Sequence, residues 1–381
     1  MIVIADDITG AAEIAGIAFA QGQQVRLVCV SGDGSRDHSR LATTDHENRP
    51  LDTETTVIAT DTRSMTEAEA VAETHRIASA ISHEPSAIFK KTDSALRGHV
   101  VAELTALMEA AGYQRAVYLP ANPSKGRIIY GGTYYINGKP IHETDFSFDP
   151  EFPAKTSVLR ERFPEAEAKG IVMPDATSLE DISRVVETYN DGHTLFAGAA
   201  DLFGALIGMG CLAIDFLNRP HPMPINPNNN STLILCGSTQ SKALDLGIPV
   251  APMPLIVYDG EEDISLWDTS AYTTAHSLIL TMPFTHRTGK EAAVHLRSMM
   301  AQKAKELVAL HLPDHLIIEG GATAWATLQA LGWTQFEIVS QIAPGVVQMS
   351  ATIACHTSTS ESKRRVLVTL KPGSYPWGSL F

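Results

Sequence analysis

The chain opens with a pattern that recurs and that fixes its class of fold: a short apolar run, a polar loop, then a helical stretch. "MIVIA" reads as a buried strand, "DDITG" as a loop, and "AAEIAGIAFAQG" as a helix closed by Gly22. "VRLVCV" follows as a strand, and the polar, aperiodic stretch from Ser31 to Thr55 reads as a loop. The pattern then returns as "TVIAT", "DTRSM" and a helix opening at Thr66, where Thr66 and Glu69 form a T-x-x-E capping box. It returns again as "SAIFK", "KTDSALRG" and "HVVAELTALMEAAG", ending at Gly112, and then as "RAVYLP" and "ANPSKGR". Short apolar runs alternating with helical patterns predict an α/β fold with a largely parallel sheet flanked by helices.

A chain of 381 residues is too long for one ordinary core, so two such domains are expected. The composition changes near Pro220, where "NRPHPMPINPNNNST" holds four prolines and five asparagines. The expected division is an N-terminal domain over 1–220, a linker over 221–231 and a C-terminal domain over 232–381. After the linker the pattern restarts with "TLILC", "GSTQ" and "SKALDLG", and later with "HLIIEGGATAWATLQALG". Within the first domain, "RIIYGGTYYINGKPI" predicts a hairpin turning at Asn137–Gly138.

The formal net charge of −14 argues against nucleic acid as a partner, because neutralising phosphates needs a basic face. No window approaches 18 uncharged apolar residues, which argues against a membrane span. "MIVIADD" has no basic leader region, and Cys29, Cys211, Cys236 and Cys355 are scattered with no CxxC pair. Both point to a cytoplasmic protein with free thiols. The oligomeric state stays open, a homodimer included.

In an open α/β sheet, ligands bind outside the carboxyl ends of the strands. Three such ends carry charged loops here, Asp6–Asp7, Asp61–Arg63 and Lys91–Arg97, and these are expected to converge on one crevice. Helix capping would explain one aspartate of the Asp6–Asp7 pair; the second could take a proton from a substrate hydroxyl or help to hold a metal. "KKTDSALRG" places Lys91, Asp93, Ser94, Arg97 and Gly98 within a few residues. A solvated loop with internal ion pairs is the bland reading. The density of charge favours a site in which Arg97 grips a carboxylate in bidentate fashion and Lys91 supplies a compact positive charge. Asp61 and Arg63 alone could be one local salt bridge and gain weight from their place beside the other loops.

No Walker A loop or G-x-G-x-x-G fingerprint is present, and "TYYINGKP" departs from the first at both ends. "CGSTQ" and "EGGATA" each lie between a strand and a helix, where backbone N–H groups and the helix dipole suit an anion. "APGVV" and "LKPGSYPWG" add further glycine turns. The 14 histidines show no metal-ligand spacing, so the sequence assigns no metal ligands.

Taken in order, "ADDITGA", "TDTRS", "KTDSALRG", "PANPSKGR", "YYINGKPI", "GS", "GGATA", "PGV" and "KPGS" resemble the four-carbon acid sugar kinase family over nearly the whole chain. The resemblance implies an N-terminal sugar-acid domain, a C-terminal ATP domain and phosphoryl transfer in the interdomain cleft. It implies an ATP- and Mg²⁺-dependent kinase acting on the terminal hydroxyl of threonate, erythronate or a 3-oxo-tetronate. On the substrate side it implies Asp6, Asp7, Arg63, Lys91, Asp93, Ser94, Arg97 and Gly98, with Asp7 the first candidate base and Asp93 the second. On the nucleotide side it implies Ser238, Gly320, Gly321, Pro344, Gly345, Val346 and Gly373. Two departures stand out: Ala322 replaces the acidic residue of the family's "GG-[DE]-T", and the tail reads "KPGSYPWGSLF". Ala322 motivates one alternative, a sugar-acid sensor without productive ATP binding. Another is an enzyme such as a phosphatase or aldolase that uses the same anion-binding loops.

Overall fold

The computed structural model describes residues 1–30, 54–82, 87–149, 151–208, 231–237, 251–254, 277–281, 290–356 and 361–373. The chain falls into two compact units, Met1–Val28 with Gly34–Arg219, and Cys29–Asp33 with Pro220–Phe381.

The first unit starts with β1 (Ile2–Ala5), α1 (Ile8–Ala20) and β2 (Gln24–Cys29). β1 is buried along its length and α1 is buried from Ile8 to Ala18 on nearly every side, so both belong to the centre of the core. β3 (Glu54–Ala59) leads to α2 (Glu67–Ile81), whose capping box at Thr66 and Glu69 is formed as the sequence predicts. The strand takes in Glu54 and Thr55, so the expected loop ends two residues sooner: Thr55 is buried in the sheet rather than solvated. β4 (Ile88–Lys91) leads to α3 (Val100–Ala111), which ends at Gly112 with φ 78°, a left-handed cap suited to glycine.

β5 (Arg115–Leu119) is followed by three short antiparallel strands, β6 (Arg127–Tyr130), β7 (Thr133–Ile136) and β8 (Lys139–Pro140). The expected turn at Asn137–Gly138 joins β7 to β8, and Gly131–Gly132 forms a second turn that the sequence reading did not single out. The unit closes with α4 (Leu159–Arg162), β9 (Ile171–Val172), α5 (Leu179–Tyr189), β10 (Thr194–Gly198) and α6 (Ala200–Leu206).

The strand order in this unit is β2-β3-β1-β4-β10-β5-β9. β1 runs parallel to β3 on one side and to β4 on the other, and β4-β10-β5-β9 continue parallel. β1 is therefore the strand from which the chain first goes one way and then the other, and its carboxyl end is the topological switch point. Val3, Ile4, Val57, Ile58 and Phe89 fill the centre with essentially no exposure, and Phe89 meets the Phe203 ring at 5.3 Å between centroids. Each such side chain contributes about 1.5–3 kcal/mol on burial, which holds the strand ends in register.

The second unit holds β11 (Thr232–Cys236), β12 (Ala251–Pro254), β13 (Ser277–Thr281), α7 (Lys290–Leu310), β14 (His315–Glu319) and α8 (Gly321–Leu331). It ends with β15 (Gln335–Ala343), β16 (Val346–His356) and β17 (Glu361–Lys371). The strands β12-β13-β11-β14-β17 run parallel, and β16 and β15 complete the sheet antiparallel. A largely parallel sheet in each unit matches the expected fold class. None of the described helices is long and apolar enough to cross a membrane.

Candidate active site

The loops after β3, β1 and β4 come from three adjacent strands, which is why they meet. Arg63 is the residue that joins them. Its Nε and Nη2 donate to Asp6 Oδ2 and Oδ1 at 3.0 and 2.8 Å, Nη2 lies 3.1 Å from Asp7 Oδ1, and Nη1 lies 3.7 Å from Asp93 Oδ1. The backbone supports this geometry: Arg63 N donates to Asp6 O at 3.2 Å, and Asp6 N to Lys91 O at 3.4 Å. Asp61 and Leu96, one in each flanking loop, hold left-handed φ values of 54° and 62°, a conformation uncommon outside glycine and concentrated at functional sites. Gly98 holds φ 96°, a conformation that residues with a Cβ rarely adopt, and lies beside Asp6 Oδ2.

The three aspartates are held differently. Asp6 is buried and turned to Arg63; burial raises its carboxyl to about 6, against the pull of Arg63. Asp7 is the N-cap of α1 and accepts from Gly10 N at 2.9 Å and from Thr9 Oγ1. Burial alone would raise Asp7, but Arg63, Lys91 and these hydrogen bonds outweigh it and hold the carboxyl below its usual value. Asp93 accepts from Ala95 N at 2.9 Å and from Arg97 Nε and Nη2, both at 2.9 Å. There too burial is overcome, by Arg63 and Arg97, and Asp93 is held far below the carboxylate range.

The Arg97 fork, expected from the sequence to grip a ligand carboxylate, is held within the chain in this structure: Nε and Nη2 donate to Asp93, and Nη1 faces Asp149 at 3.6 Å. Lys90 and Lys91, consecutive on β4, turn to opposite faces of the sheet as strand alternation requires. Lys90 Nζ forms a buried ion pair with Glu103 Oε2 of α3 at 2.5 Å, and Thr62 Oγ1 donates to the same oxygen at 2.8 Å. Lys91 Nζ donates to Thr92 O at 3.1 Å and lies 3.6 Å from Glu13 Oε2 of α1, whose other carboxylate oxygen binds Lys125. Ser94 Oγ accepts from Arg127, and Ser94 O accepts from the Tyr134 hydroxyl. Arg162 donates to the carbonyls of Leu96 at 3.2 Å and Pro153 at 2.7 Å, which fixes the left-handed turn before Arg97.

All eight substrate-side residues named from the sequence therefore lie in this one cluster. Glu13, Glu103, Lys125, Arg127, Asp149 and Arg162 belong to it as well, beyond the residues that the sequence motifs mark. Glu13 and Glu103 carried a readable signal, a carboxylate inside an apolar helical stretch. Lys125 and Arg127 stand in "PANPSKGR", which carries part of the family resemblance but by itself assigns neither residue a role.

In the second unit, register aligns Cys236, Glu319 and Lys371 at one sheet edge. Gly320 and Gly321 follow Glu319 directly, and Gly373 follows Lys371 after Pro372. Val347 pairs with Leu370, which brings the Pro344–Gly345 turn before Val346 to the same edge, with Gly345 at φ 79°. A Cβ on Gly237 would stand 1.8 Å from Thr323 Oγ1, so only glycine allows α8 to come this close. Gly320, at φ 98°, opens the N-terminus of α8. Lys371 pairs with the fully buried Glu319 and lies 3.3 Å from Pro372 O and Gly373 O. Burial and the adjacent Glu319 push the Cys236 thiol up to about 12, which leaves it unreactive. A glycine-walled edge at a helix N-terminus fits a phosphate-bearing ligand. Ala322 is exposed on the first turn of α8. Ser238 lies outside the described residues. Among the described residues no cluster of three or more His, Cys, Asp or Glu could hold a metal.

Residues 1–191 match the model of a sugar-binding N-terminal domain, and residues 267–375 that of a nucleotide-binding C-terminal domain. The pairing defines the class, a sugar-binding module joined to a nucleotide-binding one. Across 90% of this chain and 88% of the relative, it is 28% identical to a 3-oxo-tetronate kinase of Brucella melitensis. A D-threonate kinase of Salmonella typhimurium is 29% identical over 54% of this chain and 53% of its own length. A D-erythronate kinase of Heliobacterium modesticaldum is 29% identical over 49% and 41%. The chain belongs to the four-carbon acid sugar kinase family. These relatives do not favour the binding-only alternative.

Two solved structures share the fold: a Haemophilus influenzae protein at TM-score 0.65 and 18% identity, covering 100% of this chain and 98% of that one, and a Salmonella typhimurium LT2 protein at 0.68 and 19%, covering 99% and 97%.

Proposed function

We propose that this protein transfers a phosphoryl group from ATP to the terminal hydroxyl of a four-carbon sugar acid of the threonate, erythronate or 3-oxo-tetronate type, with the acceptor held by the first unit. The observation that carries this reading is the joining of three adjacent strand-end loops by Arg63 to Asp6, Asp7 and Asp93. Phosphoryl transfer needs positioning and charge stabilisation more than covalent chemistry, and a preorganised cluster of this kind supplies both.

Asp7 is the proposed base. It is the more accessible of the Asp6–Asp7 pair, with 16% of its side chain exposed against 3% for Asp6. In the proposed step Asp7 takes the proton of the acceptor hydroxyl, the hydroxyl oxygen bonds to the γ-phosphorus, and the bond to the β-phosphate oxygen breaks to release ADP. Asp93, the second candidate, is committed to Arg97 and serves to shape the loop. Lys91 offsets negative charge beside Asp7, and Ser94 and Gly98 line the approach. ATP supplies the phosphoryl group; Gly237, Gly320, Gly321, Gly345 and Gly373 would admit its phosphates at the second unit's sheet edge. Mg²⁺ would arrive as the counter-ion of those phosphates, a common mode for this ion.

The test is ATP consumption with Mg²⁺ against threonates, erythronates and 3-oxo-tetronates. Turnover with one acid identifies the acceptor. Silence across the panel, with no thermal shift on adding ATP, would remove the kinase reading.

A further inference from the structure

Nearly every cation of the acceptor cluster already has an anion. Arg63 faces Asp6, Asp7 and Asp93; Arg97 faces Asp93 and Asp149; Lys91 and Lys125 share Glu13; and Lys90 holds Glu103. Arg162 has its Nη1 and Nη2 on the backbone carbonyls of Leu96, Phe152 and Pro153. Arg127 differs. Its Nη1 donates to Ser94 Oγ, its guanidinium carbon lies 5.8 Å from the Phe146 ring centroid, and no carboxylate among the described residues pairs with it.

The same Phe146 ring carries Arg97, also at 5.8 Å. Two guanidinium groups thus share one aromatic plate, but only Arg97 is neutralised. Both are fixed at the mouth of the loop that holds Ser94, and Arg127 is half-buried rather than extended into water. A partly desolvated cation, aimed by a hydroxyl and an aromatic face, is stabilised when an anion joins it, and a planar guanidinium matches a planar carboxylate.

We infer that Arg127 is the anchor for the carboxylate of the acceptor, and hence the residue that selects a sugar acid over the neutral polyol of the same length. The assignment rests on reading this cluster as the acceptor site. It moves the carboxylate contact away from Arg97, whose Nε and Nη2 are occupied by Asp93, and leaves the hydroxyl-bearing end of the substrate for Asp7.

The experiment is titration calorimetry without nucleotide, with D-threonate, D-erythronate and 3-oxo-tetronate as acids and threitol and erythritol as polyols. Wild-type protein should bind at least one acid more tightly than either polyol. Arg127→Gln should weaken that acid by about 10- to 100-fold, the worth of a hydrogen-bonded charge, and change polyol affinity by less than about threefold. Arg127→Lys, which keeps the charge but loses the fork, should fall between and guards against a folding defect in the first variant. Equal acid binding by wild type and Arg127→Gln overturns the assignment. So does an equal loss of acid and polyol, which would mark general damage, and so does a wild type that binds none of the acids. Arg127-dependent acid binding without ATP turnover would leave the anchor standing and remove the kinase reading alone.

Discussion

Arg63 closes on Asp6 through two parallel hydrogen bonds, Nε to Oδ2 at 3.0 Å and Nη2 to Oδ1 at 2.8 Å, and so binds the loop after β3 to the loop after β1. A bidentate pair of this kind fixes direction as well as distance. The remaining faces of the guanidinium can then meet Asp7 and Asp93 without either loop drifting.

The pair should make activity pH-dependent. Asp6 titrates at about 6, above its ordinary 3.8, because it is buried. Protonation therefore favours the folded chain: the stability from this group is full below about 3.8 and is lost as pH rises through about 6. Activity should move the other way. A neutral Asp6 loosens Arg63, so kcat/KM should fall as pH drops through about 6. Asp6→Asn should lower kcat/KM at pH 8 by about tenfold or more and abolish that acid limb. A pH–rate profile of both proteins decides, and a limb that persists in the variant would assign it to another group.

Asp7→Asn separates capping from chemistry. Asn is as good an N-cap as Asp, so α1 keeps its bond from Gly10 N and the melting free energy should change by less than about 1 kcal/mol. The proposed proton acceptor is lost, and kcat should fall by about 10²- to 10⁴-fold. Near-normal kcat in a normally folded variant would reject Asp7 as the base.

Lys90 and Glu103 form a buried pair whose partners depend on each other. Glu103→Leu alone leaves an uncompensated ammonium in the core and should cost about 3–5 kcal/mol in urea unfolding. The double variant Lys90→Met/Glu103→Leu should recover most of this, because an apolar pair of similar volume needs no desolvation of charge. A double variant no better than the single would show that the carboxylate acts chiefly by anchoring Thr62, which donates to it at 2.8 Å.

Gly237→Ala would place a Cβ 1.8 Å from Thr323 Oγ1 and push α8 away from β11. Thermal stabilisation by ATP should fall or vanish, while sugar-acid binding measured without nucleotide stays as in wild type. Retained ATP stabilisation would mean that the nucleotide does not use this edge.

The sheet and the meeting of the charged loops were legible because strand–loop–helix alternation repeats in the first part of the chain, and because the three loops follow three strands that prove adjacent. The capping box at Thr66 and Glu69 and the left-handed stop at Gly112 follow from local chemistry, which sequence records directly. What escaped was set by distance along the chain. Glu13 meets Lys125 across a separation of 112 residues, and Arg127 reaches Ser94 across 33. No local rule marks such partners until the sheet order is known. The short strand β9 and the Gly131–Gly132 turn escaped for a related reason: they have no periodicity of their own, β9 being shaped by pairing with Ala116 and Val117 and the turn by the pairing of Tyr130 with Thr133.

The opposed lysines of β4 carry an implication for how such a protein can change over generations. Lys90 answers to Glu103 on one helix and Lys91 to Glu13 on another, so two neighbouring codons are tied to opposite layers of the molecule. Exchange of either lysine should call for a matching exchange on the helix that holds its partner. Arg127, by contrast, stands outside this mutual dependence. Lineages that adopt new acceptors should therefore vary first at the rim around Phe146 and Arg127, while the root of the loop is inherited as a block.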